Sequence, residues 1–341
     1  MPTINPFDNL NRGFSLVDLT TAIDNLPPRP SRITSLGLFS DVPLASPTAM
    51  IEVRNHSLVL VPTSAWREPA PTGSAIKRKA YALNIPHTAW ADSVLAIDVM
   101  GIRKFGTDNI YETVQEKVLD KLQQARDNFD ATDEYRQLSA VKGVVLDSDT
   151  TSTLFDSFTF FGITQKTVNF AFANPATDVR KVVRDIKRHI EKNLFGETVT
   201  GYRAFVGPEF FDKLIEHPSV KEALLGWQAA SVLLKDARAT GFEIEGVVFE
   251  EYTGRVSATD GSTTVPFLPN GEGLVVPLGT RNTFKRYLAP AARVDTINTL
   301  GKAYYAWQTP RIDQTGIDIH VESNTLPICL RPQLLVKLTN S

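Results

Sequence analysis

Residues 265–279 form an apolar stretch interrupted by proline and glycine, and they read Val265-Pro266-Phe267-Leu268-Pro269-Asn270-Gly271-Glu272-Gly273-Leu274-Val275-Val276-Pro277-Leu278-Gly279. Apolar runs bounded by Pro, Asn and Gly are typical of strands joined by a turn. We therefore predict strands over 265–268 and 273–278. The sequence Gly271-Glu272-Gly273 indicates a turn, because it precedes a strand and lacks the glycine spacing of a dinucleotide-binding loop.

The segments around this stretch mix helical and strand periodicity, which predicts an α+β fold. Apolar residues recur at helical spacing over 177–195, and Gly196 ends that pattern. Helices are also predicted from Gly207-Pro208 and over 219–227. A turn is predicted at Asp260-Gly261. Further strands are predicted over 202–206, 242–252, 316–322 and 334–338.

A very long helix is predicted over residues 108–142. Thr107 can cap its first turn, and apolar residues recur every three or four positions, namely Ile110, Val114, Val118, Leu122, Ala125 and Phe129. At ~1.5 Å per residue it would extend about 50 Å. The pattern changes phase near 131–134, where a kink or break can occur. Gly143 ends the helix, and a hairpin is predicted with strands over 144–146 and 154–161.

The first hundred residues do not resemble a compact domain. Prolines are frequent in residues 1–50, where one short helix over Ser15–Asn25 precedes a predicted extended arm. Residues 51–100 predict a long β-hairpin whose tip is rich in Pro and Gly. An isolated hairpin is marginal in water, and an extended arm cannot bury itself. We therefore expect the front third of the chain to bury its apolar residues on a neighbouring copy.

Composition limits the class of protein. The chain has 341 residues, of which 42% are hydrophobic and 22% charged, so it can bury a sizeable core in about two domains. The formal net charge of −2 argues against a protein that wraps nucleic acid with a basic surface. A single cysteine excludes an internal disulfide, and neither a signal peptide nor a membrane-spanning apolar run is present. We expect a soluble protein that stays inside the cell where it is made.

Two acidic residues after a short apolar strand are the strongest catalytic candidates. Asp147, Asp149 and Thr150 follow residues 144–146 in a pattern that resembles the phosphoryl-transfer loop of haloacid-dehalogenase-like phosphatases. The first Asp of that loop is a nucleophile and the second a general acid. Asp and Ser also favour polar hairpin turns. The phosphatase fold needs parallel strands with crossover helices, whereas another strand pattern follows here at once, so a turn is the favoured interpretation.

The other ionisable residues favour structural roles. The five histidines lack the spacing of metal ligands, and Cys329 lies among apolar residues, as a packed thiol does. The basic residues of the helix over 177–195 favour a solvated face, with weak binding of an anionic polymer as the alternative. They are Arg180, Lys181, Arg184, Lys187, Arg188 and Lys192. We predict no enzyme, and no catalytic, cofactor or metal site.

In the order of its parts the chain resembles the major capsid proteins of tailed phages, in the lambda-like branch of the Hong Kong 97-type capsid fold. The similarity covers most of the chain. It lies in residues 265–279, in Thr283–Leu288, in Phe205–Leu214 with the following 220–222, and in the character of 318–338.

This resemblance implies five parts. They are an N-terminal arm over 1–50, an extended loop over 51–100, a peripheral domain with the long spine helix over 101–165, an axial domain over 166–310, and a return to the peripheral sheet over 311–341. It also implies self-assembly into pentamers and hexamers of an icosahedral shell around double-stranded phage DNA, in the host cytoplasm. The implied partners are a separate scaffolding protein, a portal protein and often a decoration protein. The alternatives are an encapsulin-like compartment with protein cargo and the phosphatase that uses Asp147 and Asp149.

Two charge features predict a contact between subunits. Glu112, Glu116 and Asp120 form an acidic row at four-residue spacing on the long helix, which is also consistent with a solvated face. Lys77, Arg78 and Lys79 form a basic run on the hairpin. We predict that the basic run of one copy lies near the acidic row of another. Exposed ion pairs stabilise by about 0–1 kcal/mol each, but their effect adds up when repeated over a shell.

Overall fold

The computed structural model of the chain describes residues 16–29, 31–54, 78–99, 114–194, 196–225, 241–257 and 264–340. The helices of these ranges are α1 (Leu16–Asn25), α2 (Arg32–Ser35), α3 (Val114–Lys142), α4 (Ser157–Phe161), α5 (Val179–Lys192), α6 (Pro208–Glu216) and α7 (Pro218–Leu225). The strands are β1 (Ser40–Pro43), β2 (Thr48–Arg54), β3 (Arg78–Asn84), β4 (Ala89–Leu95), β5 (Val144–Leu146), β6 (Thr153–Asp156), β7 (Lys166–Asn169), β8 (Gly201–Val206), β9 (Phe242–Ile244), β10 (Val247–Glu251), β11 (Arg255–Ser257), β12 (Thr264–Pro266), β13 (Glu272–Leu278), β14 (Phe284–Leu288), β15 (Tyr305–Pro310), β16 (Gly316–Glu322), β17 (Thr325–Cys329) and β18 (Val336–Thr339).

The described strands form three larger sheets and three two-stranded pairs, β2-β3, β5-β6 and β11-β12. The largest has the order β7-β18-β13-β8-β10-β9, with β13 antiparallel to β8 and β18. A second sheet, β15-β16-β4, joins the C-terminal hairpin to a strand from the front of the chain. A third sheet, β1-β14-β17, places β1 parallel to β14, with Ser40 opposite Lys285. The front third of the chain therefore supplies strands to two sheets formed with its last third.

The long helix α3 connects two parts of the core. In its first half, Val118 and Leu122 are fully buried and pack with Ile319 of the β15-β16-β4 sheet. In its second half, Leu138 packs with Phe205 and Val276 of the six-stranded sheet. The helix is continuous through 131–134, so it has no break there. The apolar phase changes because residues 135–141 are buried on all sides.

The opposite face of the six-stranded sheet is covered by α5 and α6. Successive side chains of a strand point to opposite faces. Ala204 and Val206 accordingly pack with Val183 and Phe210 of these helices, whereas Phe205 faces α3. The apolar stripe predicted over 177–195 is confirmed, and Asp178 caps the helix by accepting the backbone N–H of Lys181. The six-stranded sheet thus lies between α3 on one face and α5 with α6 on the other.

Two predicted strands differ in the structure. Residues 157–161 form α4 instead of extending β6, because Asp156 accepts the N–H groups of Phe158 and Thr159 and Gly162 ends the helix in the left-handed region. The strand predicted over 242–252 is split into β9 and β10 by a turn at Glu245-Gly246, where both residues have positive φ. Local capping and turn chemistry override the apolar pattern at both places.

The predicted hairpin of residues 51–100 is confirmed at its base. Strands β2 and β3 pair antiparallel, with Ile51 opposite Tyr81. The hairpin tip, residues 55–77, lies outside the described residues. Strand β4 leaves the hairpin and joins β16. The predicted turn at Asp260-Gly261 also lies outside the described residues, between β11 and β12, which pair antiparallel.

Candidate functional site

Polar side chains on one face of α3 hold the arm segment, which we define as residues 16–29 and 31–44. The carboxylate of Asp130 accepts the backbone N–H of Arg29 at 2.9 Å. One helical turn later, Glu134 accepts the backbone N–H of Arg32 at 3.0 Å. Side chains four residues apart lie on the same helix face. The helix therefore satisfies backbone donors that an extended arm would otherwise leave unpaired.

An ion pair between Arg32 and Glu250 connects the arm segment to the six-stranded sheet. Nε and Nη2 of Arg32 lie 2.5 and 2.8 Å from the Glu250 carboxylate, which is buried on β10. The guanidinium of Arg203 donates to the same carboxylate. The hydrogen bond to Glu250 raises the pKa of Arg32. A buried carboxylate is stable only when it is paired, so Glu250 fixes the position of Arg32.

A second ion pair holds strand β1. Arg286 of β14 donates two hydrogen bonds of 2.7 Å to Asp41, one from Nε and one from Nη2. Its Nη1 lies 2.7 Å from Asp133 of α3. Bidentate arginine–carboxylate pairs fix geometry as well as charge. Arg286 therefore joins the arm segment, the β1-β14-β17 sheet and the long helix.

The arm segment buries its apolar residues on its own chain. Leu19, Ile23 and Ile33 are fully buried, and the first two pack in the same cluster as the first half of α3. The expectation that the front third needs a partner copy is therefore wrong for the described part of the arm. The reason is that α3 and β14, which begin 70 or more residues after the arm segment ends, supply the surface and the hydrogen-bond partners.

The residues of the predicted charge contact lie in two places. Lys77 and Glu112 lie outside the described residues. The backbones of Arg78 and Lys79 lie in β3, at the end of the hairpin base nearest its tip. Glu116 is half-buried on the first turn of α3, and Asp120 is exposed one turn later. The pairing of the basic run with the acidic row stays a prediction.

Among the described residues, exposed large apolar side chains lie near one another in the β14–β15 loop and at one end of the β15-β16-β4 sheet, and sequence reasoning missed both groups. Val294, Ile297 and Leu300 are 82%, 64% and 63% exposed in the loop between β14 and β15. Ile97 and Ile312 are exposed at one end of the β15-β16-β4 sheet, where Ala96 donates its N–H to Thr315. Their sequences show no helical or strand periodicity, so only their exposure identifies them. Clustered exposed apolar residues are typical of surfaces that bind another protein.

The phosphatase interpretation of Asp147 and Asp149 does not fit the structure. The two residues lie in the turn between β5 and β6, which pair antiparallel with no crossover helix. Asp149 accepts the N–H groups of Thr151 and Ser152 at 3.0 and 2.8 Å. Hydrogen bonds from Ser152 lower the pKa of Asp149 to about 2. Asp147 accepts a hydrogen bond from Arg136 at 3.0 Å. Both carboxylates stabilise a polar turn.

The other ionisable candidates lie in surroundings that are typical of residues with a structural role. Cys329 is fully buried, and burial raises the pKa of its thiol to about 12, which confirms the packed thiol. The buried His217 contacts Ser219 and the carbonyl of Asn174. Within the described ranges no group of three or more His, Cys, Asp or Glu residues is placed to hold a metal ion. None of the helices in those ranges has the length and hydrophobicity to cross a membrane.

The chain shares its architecture and sequence with phage capsid proteins. It is 27% identical over 348 residues to the major capsid protein of Pseudomonas phage KPP10, covering 97% of this chain and 98% of that protein. It is also 27% identical over 353 residues to the major capsid protein of Salmonella phage Felix O1, covering 95% of each. The capsid structure of cyanophage P-SCSP1u superposes with a TM-score of 0.52 at 14% identity, covering 93% of this chain and 90% of that one.

The fold described above is that of Hong Kong 97-type capsid proteins, the class to which the similar phage capsid structures belong. Residues 15–340 match the family described as phage major capsid protein E, and the chain belongs to that family. The fold and family expected from the sequence are confirmed. The function of this family is structural, and its members build the capsid of the virion.

Proposed function

We propose that copies of this chain assemble into pentamers and hexamers of an icosahedral shell that encloses double-stranded phage DNA. The observation that carries the proposal is the family match over residues 15–340, which spans almost the whole chain. The exposed apolar residues add support, because Val294, Ile297 and Leu300 would be covered in contacts between copies. The role of such a subunit is to assemble, because one chain must make similar contacts in rings of five and of six copies.

We propose a separate role for each part of the chain. The arm (1–50) packs on its own subunit over its described residues, and the extended loop (51–100) reaches neighbouring subunits. The peripheral domain (101–165 with 311–341) carries the spine helix α3. The axial domain (166–310) forms the centres of pentamers and hexamers. The six-stranded sheet with α5 and α6 supports an axial unit with its own core, although its strand β18 comes from the C-terminal return.

The proposal also names partners. A separate scaffolding protein directs assembly in the host cytoplasm, a portal protein occupies one vertex, and a decoration protein binds the outside of the finished virion. The same fold could also form an encapsulin-like compartment. The two relatives named above are both phage major capsid proteins, which favours the phage shell.

The contents of the particles test this choice. Particles recovered from an infected host, with this chain identified by mass spectrometry, should protect double-stranded DNA from nuclease. A copurifying enzyme in place of DNA would contradict the phage shell and favour the compartment.

We retain the charge contact between subunits as part of this proposal. The basic run Lys77, Arg78 and Lys79 of one subunit pairs with the acidic row of another, and the exposure of Asp120 supports an accessible row. Reversing the three basic residues to Glu should reduce assembly at low salt, and reversing Glu112, Glu116 and Asp120 to Lys in the same chain should partly restore it. Reversing exposed Lys221, Arg255 and Arg281 to Glu is the matched control. Normal assembly of the first variant at low salt would contradict this contact.

A further inference from the structure

Helix α5 presents an unbroken row of basic side chains to solvent. Lys181, Arg184, Arg188 and Lys192 are all exposed, and their spacing of three, four and four residues places them on one helix face. At ~1.5 Å per residue the row is about 16 Å long. The opposite face carries the buried residues that pack on the six-stranded sheet. We name these four residues the basic ridge.

The basic ridge is only weakly neutralised by its own chain. Arg188 contacts Asp185 at 2.9 Å, but both side chains are more than half exposed. Arg184 lies 3.9 Å from Asp178 in another exposed pair. Exposed pairs of this kind stabilise little and exchange readily with other anions. In the part of the chain that the structure describes, Lys181 and Lys192 have no acidic side chain within ion-pair distance.

A neighbouring lysine extends the positive field of the basic ridge. Lys166 is exposed on β7, the edge strand of the six-stranded sheet. His189 is also on α5, and its Nε2 lies 3.2 Å from the carbonyl oxygen of Gln333. Burial, together with the charges of Lys166 and Lys192, lowers the pKa of His189. Lys166 at the sheet edge and Lys192 on the helix therefore both act electrostatically on His189.

The character of the exposed face favours a phosphate polymer over a protein partner. Protein interfaces are centred on aromatic and aliphatic side chains with few charges. The outward face of α5 has no such side chain, because Arg180, Asp185 and Glu191 are the other exposed residues there. Duplex DNA presents one negative charge per about 1.7 Å of axis, and arginine and lysine bind its backbone without reading sequence. A straight row of flexible cations matches that ligand.

We propose that the basic ridge binds the phosphate backbone of duplex DNA, and that each subunit contacts the enclosed genome through Lys181, Arg184, Arg188 and Lys192. This inference rests on the proposed function, because a shell around DNA is what brings the ligand to every copy. Binding is independent of base sequence and weakens with salt.

The test uses full-length subunits kept below the concentration at which they assemble, with a fluorescent 30-base-pair duplex as the probe. The ridge variant carries Lys181→Gln, Arg184→Gln, Arg188→Gln and Lys192→Gln. The matched control carries Lys221→Gln, Arg255→Gln, Arg281→Gln and Lys302→Gln, four other exposed basic residues, and has the same net charge. Fluorescence anisotropy gives the dissociation constant between about 50 and 200 mM salt, the range over which phosphate contacts weaken strongly.

The ridge variant should bind at least about tenfold more weakly at the lowest salt, while the control changes less than about threefold. Its plot of log affinity against log salt should lose about 3 to 4 units of slope, since each phosphate contact contributes about 0.9. Equal losses in the two variants would overturn the proposal. Competition by polyglutamate as effective as by duplex of equal charge would also overturn it, in favour of an acidic protein partner. Electron microscopy of particles tests the proposed function separately, because a failure to form shells leaves the duplex affinities interpretable.

Discussion

Arg32 of the arm segment and Glu250 of β10 are 218 residues apart in sequence and form a bidentate ion pair, with Nε 2.5 Å from one carboxylate oxygen. Through the backbone N–H of Arg32 the same residue is bound to Glu134 of α3. One residue of the arm thus links the long helix to the six-stranded sheet. We call the contacts of Arg32 with Glu134 and Glu250 the junction, and they help to fix the position of α3 relative to the six-stranded sheet.

The junction predicts that substitutions of Arg32 and of Glu250 reduce the stability of the fold by different amounts. Glu250→Gln leaves Arg32 and Arg203 without their shared carboxylate, and breaking a buried pair costs about 3–5 kcal/mol. Arg32→Met should cost about 1 kcal/mol or less, because the Arg32 side chain is 42% exposed and Arg203 still pairs with Glu250. Thermal unfolding checks the order, with Arg188→Met in an exposed pair as the control. Equal losses of stability for the first two variants would contradict the buried junction.

The burial of α3 predicts a sharp contrast between two leucines that are three residues apart. Leu122 is fully buried, so Leu122→Ala should destabilise the fold by about 2–5 kcal/mol. Leu119, one turn earlier, is 36% exposed, and Leu119→Ala should cost less than about 1 kcal/mol. The two variants remove the same atoms from the same helix, so thermal unfolding compares burial alone. A Leu119→Ala loss as large as that of Leu122→Ala would place the helix in a different rotation.

The end of α3 predicts a second contrast, between two glycines. Gly143 and Gly162 both have positive φ, which costs a residue with a Cβ roughly 1–2 kcal/mol. A Cβ on Gly143 would overlap the ring of Phe158, whereas a Cβ on Gly162 meets nothing within 4 Å. Gly143→Ala should therefore lower the unfolding temperature clearly more than Gly162→Ala does. Similar losses would show that the ring of Phe158 moves aside freely.

Lys142 predicts a pH dependence. Its Nζ donates to the carbonyl of Phe267, and burial lowers the pKa of Lys142 to about 8 from an ordinary 10.5. Between these two values the unfolded chain binds more protons than the folded chain, so this group makes stability rise with pH. The stability of the wild type relative to Lys142→Met should therefore increase from pH 8 to pH 10.5. Thermal unfolding of both proteins over this range is the measurement, and a constant or falling difference would contradict the burial of the ammonium group.

Much of the fold follows from periodicity within short segments. The alternation of Ile317, Ile319 and Val321 predicts β16, and the helical spacing that includes Val118 and Leu122 predicts α3. The segment over 157–161 was predicted as a strand because its phenylalanines form an apolar run. The cap at Asp156 and the stop at Gly162 make it a helix, and both signals are visible in the sequence.

The attachment of the arm could not be predicted from sequence. Arg32 and Glu250, or β1 and β14, pair across more than 200 residues, and nothing local distinguishes them from other arginines, acids and short apolar runs. The lack of local partners therefore suggested a need for a second copy. Of the candidate sites, the basic ridge on α5 was predictable because helical spacing alone places its four residues on one face.

The assembly state of the purified full-length chain tests the central claim most directly. Electron microscopy of the concentrated protein should show closed shells or rings of five and six subunits, in which each copy has the fold described above. A protein that remains a monomer at the highest concentration and lowest salt tested, with or without its scaffold, would contradict the proposed shell.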